Sequence, residues 1–123
     1  MARILVVDDS KTQVQGLAKL LSKHGHEVLT AEDGSLAVST ANTDLPDLIL
    51  MDVVMPGLNG FQATRQITKN ETTSHIPVIM LSSKDQETDK VWAKRQGARG
   101  FIVKPAEEDE LIEKIDSLLA SCA

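Results

Sequence analysis

The sequence has little cysteine: Cys122 is the only one among 123 residues, and it lies next to the C-terminus. An internal disulfide bond is therefore excluded, and a reducing compartment, the cytoplasm, is the expected location. We interpret Cys122 as a thiol at a frayed helix end rather than as a catalytic nucleophile.

The sequence also lacks a long apolar stretch. The run at residues 48–51 is ended at once by Asp52, and the N-terminal residues do not contain the extended apolar core of a signal peptide. We therefore expect no membrane insertion. The length suits one domain with its own core, and no linker or repeat divides it, so residues 1–123 are expected to form a single domain.

An excess of positive charge is missing as well. The formal net charge is −5 at pH 7, whereas proteins that bind nucleic-acid backbones neutralise the phosphates with Lys and Arg. A direct role in binding nucleic acid is therefore not expected.

Short apolar runs bounded by turn residues predict five strands. The runs are residues 4–7, 28–29, 48–51, 78–81 and 101–103. Three of them are continuously apolar, as parallel strands covered on both faces require.

Apolar residues at helical spacing separate these strands. The spacing is clear at Val14, Leu17 and Leu21 and again at Leu111 and Ile115. It is weaker in segments 35–41, 60–68 and 85–96, and the last of these is expected to pack loosely. Strict alternation of strands and helices predicts an α/β fold with a doubly wound parallel sheet.

Polar and charged residues follow four of the predicted strands. Asp8 and Asp9 follow the first strand, Asp52 the third, Ser82 the fourth and Lys104 the fifth. In open parallel sheets the ligand site forms beyond the carboxyl ends of the strands. We therefore expect these five side chains to meet at one edge of the sheet.

Three carboxylates at one edge repel each other, and an oxygen-binding divalent cation compensates for this repulsion. Mg²⁺ is the predicted cofactor, because it binds one or two carboxylates, keeps waters and leaves a place for phosphate oxygens. Zn²⁺ would need Cys or His ligands, which these positions do not provide. A carboxylate here can also act as a nucleophile toward phosphorus. The alternative is that the aspartates cap helices or turns and that Lys104 forms a surface ion pair.

Four segments carry a family resemblance: LVVDDS at 5–10, LMDVVMPGLNG at 50–60, LSS at 81–83 and VKP at 103–105. In this order they resemble the receiver domain of two-component response regulators, over nearly the whole chain. The resemblance implies a CheY-like, flavodoxin-like sheet of five strands in the order 2-1-3-4-5. It also implies a regulator that signals through phosphorylation and is not a turnover enzyme.

The resemblance gives the acidic residues their roles. It implies that Asp52 is the phosphoacceptor in a Mg²⁺-dependent reaction. Asp9 is a direct Mg²⁺ ligand, Asp8 is a ligand acting largely through water, and Val54 adds its backbone carbonyl.

The resemblance also assigns residues that respond to the phosphoryl group. Lys104 pairs with that group, Ser82 donates a hydrogen bond to it, and the bond between Lys104 and Pro105 is cis. Phe101 occupies the place of an aromatic switch residue, although a plain core residue at a strand end explains it equally well.

Segments 56–66 and 84–98 resemble the response regulators that control twitching motility by type IV pili, which implies a stand-alone regulator. The implied partners are a chemotaxis-like histidine kinase and a downstream protein of the pilus machinery. The implied output surface is the face formed by the fourth helix, the fifth strand and the fifth helix, and it carries Lys90, Val91, Trp92, Lys94, Arg95 and Arg99. Trp92 is either an anchor for the partner or the only substantial core contact of its helix.

Two other functions would account for parts of this pattern. A phosphatase with an aspartyl nucleophile would have Asp-x-Asp after the first strand, whereas Ser10 follows Asp8 and Asp9 here. A receiver-like module that only binds proteins would not need the five residues at the strand ends.

Overall fold

Strands and helices alternate strictly in the computed structural model, which describes residues 2–53, 57–83 and 87–121. The strands are β1 (Arg3–Val7), β2 (Glu27–Ala31), β3 (Leu48–Asp52), β4 (Val78–Ser82) and β5 (Gly100–Val103). The helices are α1 (Lys11–Lys23), α2 (Gly34–Asp44), α3 (Gly60–Lys69), α4 (Glu87–Arg95) and α5 (Glu108–Ser121).

All five strands are parallel and lie in the order β2-β1-β3-β4-β5. The predicted fold class is therefore confirmed. Every residue of β3 and β4 is buried, and so is β1 from Ile4 onward. Helices cover both faces of the sheet, which explains the continuous apolar runs. The polar residues of β3 and β4 are Asp52 and Ser82, and each is the last residue of its strand.

Alternate residues of each strand pack on opposite faces of the sheet. On one face, Leu5 and Ile49 join a core cluster with residues of α2, α3 and α4, including Ala37 and Ile67. On the other face, Ile4 and Leu50 pack with residues of α1 and α5, including Leu21 and Ile115. The side-chain alternation of the strands thus holds two helices on one face and three on the other.

Side chains at the start of three helices cap free backbone N–H groups. The Oγ of Ser10 accepts a hydrogen bond from the N–H of Gln13 at 3.4 Å. Asp33 accepts from Leu36 at 2.8 Å, and α3 has a full capping box formed by Asn59 and Gln62. The cap of α1 fixes the turn that directly follows Asp8 and Asp9.

Helix α4 packs weakly, as predicted, since Ala93 is its only buried residue in the described part of the helix. Trp92 is 49% exposed. The interpretation of Trp92 as the core contact of α4 is therefore wrong: Ala93, one residue further on, takes the core position and turns Trp92 toward solvent. The guanidinium carbon of Arg95 lies 5.9 Å from the centre of the Trp92 ring.

Within the parts of the chain that the structure describes, no helix is both long and apolar enough to cross a membrane. Cys122 and Val54, for which the sequence suggested roles, lie outside the described residues.

Candidate functional site

Three carboxylates gather at the carboxyl edge of the sheet. Asp8 directly follows β1 and Asp52 ends β3, and the pairing of Val7 with Met51 places them side by side. Asp8 is 3% and Asp52 7% exposed, while Asp9 is exposed. One oxygen from each carboxylate lies within 4.8 Å of the other two.

Lys104 brings a positive charge from the end of β5 to this cluster. Its Nζ donates hydrogen bonds to Oδ1 of Asp52 at 2.8 Å and to Oδ2 of Asp8 at 3.2 Å. A third acceptor is Oε1 of Gln13 in the first turn of α1, at 2.7 Å. The peptide bond between Lys104 and Pro105 is cis.

Burial and charge act in opposite directions at this site. Burial raises the pKa of Asp52; Lys104 opposes that rise, whereas the charges of Asp8 and Asp9 add to it. Burial works against the charge on Lys104 too, but the hydrogen bond and charge of Asp52, together with Asp8, outweigh it and raise the pKa of Lys104. Lys104 is therefore held as a cation. The neighbouring Asp52 carboxylate is harder to ionise than an ordinary one, because it is buried.

The backbone around the two buried aspartates is tightly fixed. Oδ1 of Asp8 accepts a hydrogen bond from the N–H of Ser10 at 2.9 Å, which leaves Oδ2 directed at Lys104. The N–H of Gly60 donates to the carbonyl of Val53 at 3.0 Å. A β-carbon at Gly60 would clash with the carbonyl oxygen of Asp52, so the start of α3 packs directly against the backbone of Asp52.

Ser82 and Phe101 lie on neighbouring strands beside this cluster. Ser82 is the buried last residue of β4, and Lys104 donates its backbone N–H to the carbonyl of Ser82 at 2.6 Å. Phe101 pairs with Met80 and is only partly buried against the core. A ring in this half-buried position is compatible with both interpretations of Phe101.

The six residues of the expected output surface are exposed, and all but Val91 fall into two groups. Trp92 and Arg95 form the cation–ring pair on α4. Lys90, Lys94 and Arg99 line a groove of about 510 Å³ beside Phe101, and Lys114 of α5 completes it. The sequence interpretation included the fifth helix in this face but did not name Lys114, because the sequence does not show which side of α5 meets α4.

Gln13 was missed as well. No motif singled it out, because a glutamine in the first turn of a helix is ordinary on a solvated face. Gln13 and Lys104 both line a groove of about 500 Å³. The other residues lining that groove are Gly16, Leu17, Leu20, Leu81, Ser83, Pro105 and Ala106.

The donor set of the carboxylate cluster fits Mg²⁺. It consists of oxygen atoms, two of its three residues are buried beside the ends of fixed strands, and Asp9 remains open to solvent. Mg²⁺ is usually bound by one or two carboxylates and keeps several waters. An open group of three carboxylates meets this requirement better than a closed cage.

Sequence comparison gives similar proteins over almost the whole chain. Residues 4–116 match the family described as response regulator receiver domain. The chain is 59% identical to Protein PilH of Pseudomonas aeruginosa, over 98% of this chain and 99% of that protein. It is 42% identical to Response regulator PleD of Caulobacter vibrioides, over 95% of this chain but 26% of PleD.

Solved structures have the same fold. Chemotaxis protein CheY4 of Vibrio cholerae superposes with a TM-score of 0.90 and 32% identity, over 96% of this chain and 98% of that one. The receiver domain of sensor histidine kinase PA1611 of Pseudomonas aeruginosa has a TM-score of 0.90 and 28% identity, over 97% and 98%. That receiver was solved with a magnesium ion coordinated in its active site cleft.

Proposed function

Since this chain belongs to the response regulator receiver domain family, we propose that it accepts a phosphoryl group on Asp52 and signals by changing which protein it binds. The observation that carries the proposal is the position of Lys104. A single ammonium group contacts Asp52 and Asp8 at once, which places a cation where the oxygens of a transferring phosphoryl group would lie.

The proposed reaction is a direct transfer to the carboxylate. An oxygen of Asp52 attacks phosphorus and forms a new P–O bond, while the bond between phosphorus and the donor atom breaks. The leaving group takes that electron pair; a donor histidine nitrogen keeps it as its lone pair. Lys104 holds the transferring oxygens, and the packing of Gly60 against Asp52 keeps the nucleophile in place.

Asp8, Asp9 and Asp52 would hold Mg²⁺, with the backbone carbonyl of Val54 as a further proposed ligand. The ion, when bound, neutralises negative charge on the phosphoryl oxygens during transfer. Without such a cation, a phosphodonor would approach three carboxylates that a single lysine only partly compensates.

We propose that phosphorylation is read out through Ser82 and Phe101. Ser82 would donate a hydrogen bond to the phosphoryl group, and the half-buried ring of Phe101 would turn further inward. Phe101 also lines the groove that contains Lys90, Lys94, Arg99 and Lys114. A movement of its ring would therefore change the shape of the surface that binds the partner.

The likeness to PilH supports a narrower role. We propose that a chemotaxis-like histidine kinase in the cytoplasm is the phosphodonor and that the phosphorylated protein acts on the machinery of type IV pilus twitching motility. The basic groove and Trp92 would form the output surface, and its charge favours an acidic partner.

The test is phosphorylation with a small donor. Wild-type protein with Mg²⁺ and acetyl phosphate is expected to gain one phosphoryl group, measured by intact mass. Asp52→Asn should gain none. Asp116→Asn, the same change at an exposed position of α5, is the control and should behave as wild type.

Two results would favour the other functions. Steady release of phosphate from many phosphomonoesters would indicate a phosphatase and contradict the assignment as a regulator without turnover. A wild-type protein that responds neither to acetyl phosphate nor to beryllofluoride would indicate a module that only binds proteins.

A further inference from the structure

The ammonium group of Lys104 has three N–H bonds and, among the described residues, three acceptors, which are Asp52, Asp8 and Gln13. Gln13 makes the shortest of the three contacts, at 2.7 Å. It is also the only neutral acceptor among them. The hydrogen bond joins the first turn of α1 to the end of β5.

A neutral acceptor has a different effect from a third carboxylate. The amide oxygen fixes the direction of one N–H bond. Because it carries no negative charge, it does not compete with the two aspartates for the positive charge of Lys104. With that bond fixed, the remaining two N–H bonds point toward Asp8 and Asp52. An ammonium group with only two partners would rotate and shift more freely, and side chains at reacting sites lose rate when they are loosely held.

We propose that Gln13 is a positioning residue that holds Lys104 toward the phosphoryl group as it is transferred to Asp52. This inference rests on the proposed function. Gln13 itself does not need to touch the phosphoryl group, because it acts through the lysine.

Among the described residues, Lys104 is the hydrogen-bond partner of the Gln13 side chain, so we expect its replacement to leave the fold intact. This side chain is exposed on α1, and the cap of the helix uses the backbone N–H of Gln13 rather than its side chain. Gln13→Met keeps the length and helix propensity of the side chain but removes the strong acceptor. Gln13→Glu keeps the acceptor and adds a charge.

The experiment measures the rate of phosphorylation by acetyl phosphate with Mg²⁺ and, in the same proteins, the NMR signal of the Lys104 ammonium group. We expect Gln13→Met to lower the rate roughly 3- to 10-fold, since hydrogen bonds to charged groups are among the stronger ones. The ammonium signal should broaden or disappear through faster exchange with water. Gln13→Glu should keep that signal. Gln66→Met, the same change at an exposed position of α3, should alter neither measurement.

The outcomes separate this inference from the proposed function. If wild-type protein takes up a phosphoryl group and Gln13→Met matches it in both rate and ammonium signal, the positioning role is wrong and the proposed function stands. If wild-type protein takes up none, both fail. If the thermal midpoint of Gln13→Met falls together with the rate while the ammonium signal stays unchanged, the effect is on folding and the positioning role is again wrong.

Discussion

Gly60 packs so closely against Asp52 that a β-carbon at Gly60 would overlap the carbonyl oxygen of Asp52. The overlapping atom belongs to the backbone and cannot turn aside as a flexible side chain would. Gly60→Ala must therefore move either the start of α3 or the end of β3. We expect a loss of about 2–4 kcal/mol in the free energy of unfolding and slower phosphorylation of Asp52, measured by urea denaturation and by uptake of phosphate from acetyl phosphate.

Gly16→Ala is the matched control. Gly16 is in the middle of α1, and apart from its chain neighbours and the backbone of the helix itself, no atom of the described residues lies within 4 Å of a β-carbon placed there. Alanine should stabilise this helix by roughly 0.5–1 kcal/mol. If both substitutions changed stability by the same amount, the close approach at Gly60 would not be the cause of its effect.

The buried position of Asp52 predicts a pH dependence of stability. Because burial raises its pKa, the folded protein binds this proton more tightly than the unfolded chain does. The stability contributed by the protonated group is therefore present below the ordinary carboxyl pKa and is lost as the pH rises through the raised value. Asp52→Asn removes this titration, so the variant should be more stable than wild type at neutral pH, and its advantage should shrink on acidification.

Urea denaturation of both proteins between about pH 4 and pH 8 measures this difference. EDTA must be present, so that no divalent cation alters the balance of charge at the cluster. Asp116→Asn controls for the change in net charge. A constant difference between wild type and Asp52→Asn across the whole range would contradict the prediction.

The sequence predicted four of the five strands to within one residue at each end, and the exception, the edge strand β2, has a physical reason. Strands β3 and β4 are buried on both faces, so their apolar runs have no gaps. The edge strand β2 was predicted only at residues 28–29 but extends over Glu27–Ala31. Its exposed Glu27 and Thr30 interrupt the apolar pattern, so the sequence does not show where the strand begins and ends.

The gathering of acidic residues was predictable because the end of a strand determines where the following residue lies. Asp8, Asp52 and Lys104 therefore meet as expected. The contact between Lys104 and Gln13 was not predictable, because it depends on the length and rotamers of two side chains on different elements. The exposure of Trp92 was missed for a similar reason: a short and weakly apolar helix does not reveal which of its faces meets the core.

The exposure of Trp92 makes a further prediction about α4. Trp92→Ala should cost less than about 1 kcal/mol, because half of the residue is already in water and an exposed cation–ring contact is weak. Its phosphorylation by acetyl phosphate should match wild type. Ala93→Asp, one residue further on, should cost about 3 kcal/mol or more, because it places an unpaired charge in the core. Equal losses in thermal denaturation would mean that Trp92 contributes to the core after all.

Two buried threonines provide the sharpest test of hydrogen bonding in the core. The Oγ1 of Thr73 donates a hydrogen bond to the carbonyl of Ile67 at 2.6 Å, whereas the buried Oγ1 of Thr64 has no hydrogen-bond partner among the described residues.

Valine has nearly the shape of threonine but no hydroxyl group. Thr64→Val should therefore raise the free energy of unfolding by about 1 kcal/mol, because it removes a buried polar group that lacks a partner. Thr73→Val should lower it by about 1–2 kcal/mol, because it leaves the carbonyl of Ile67 without its donor. Urea denaturation of the two variants under the same conditions measures both changes, and losses of equal size would mean that the hydroxyl of Thr64 is hydrogen-bonded in solution.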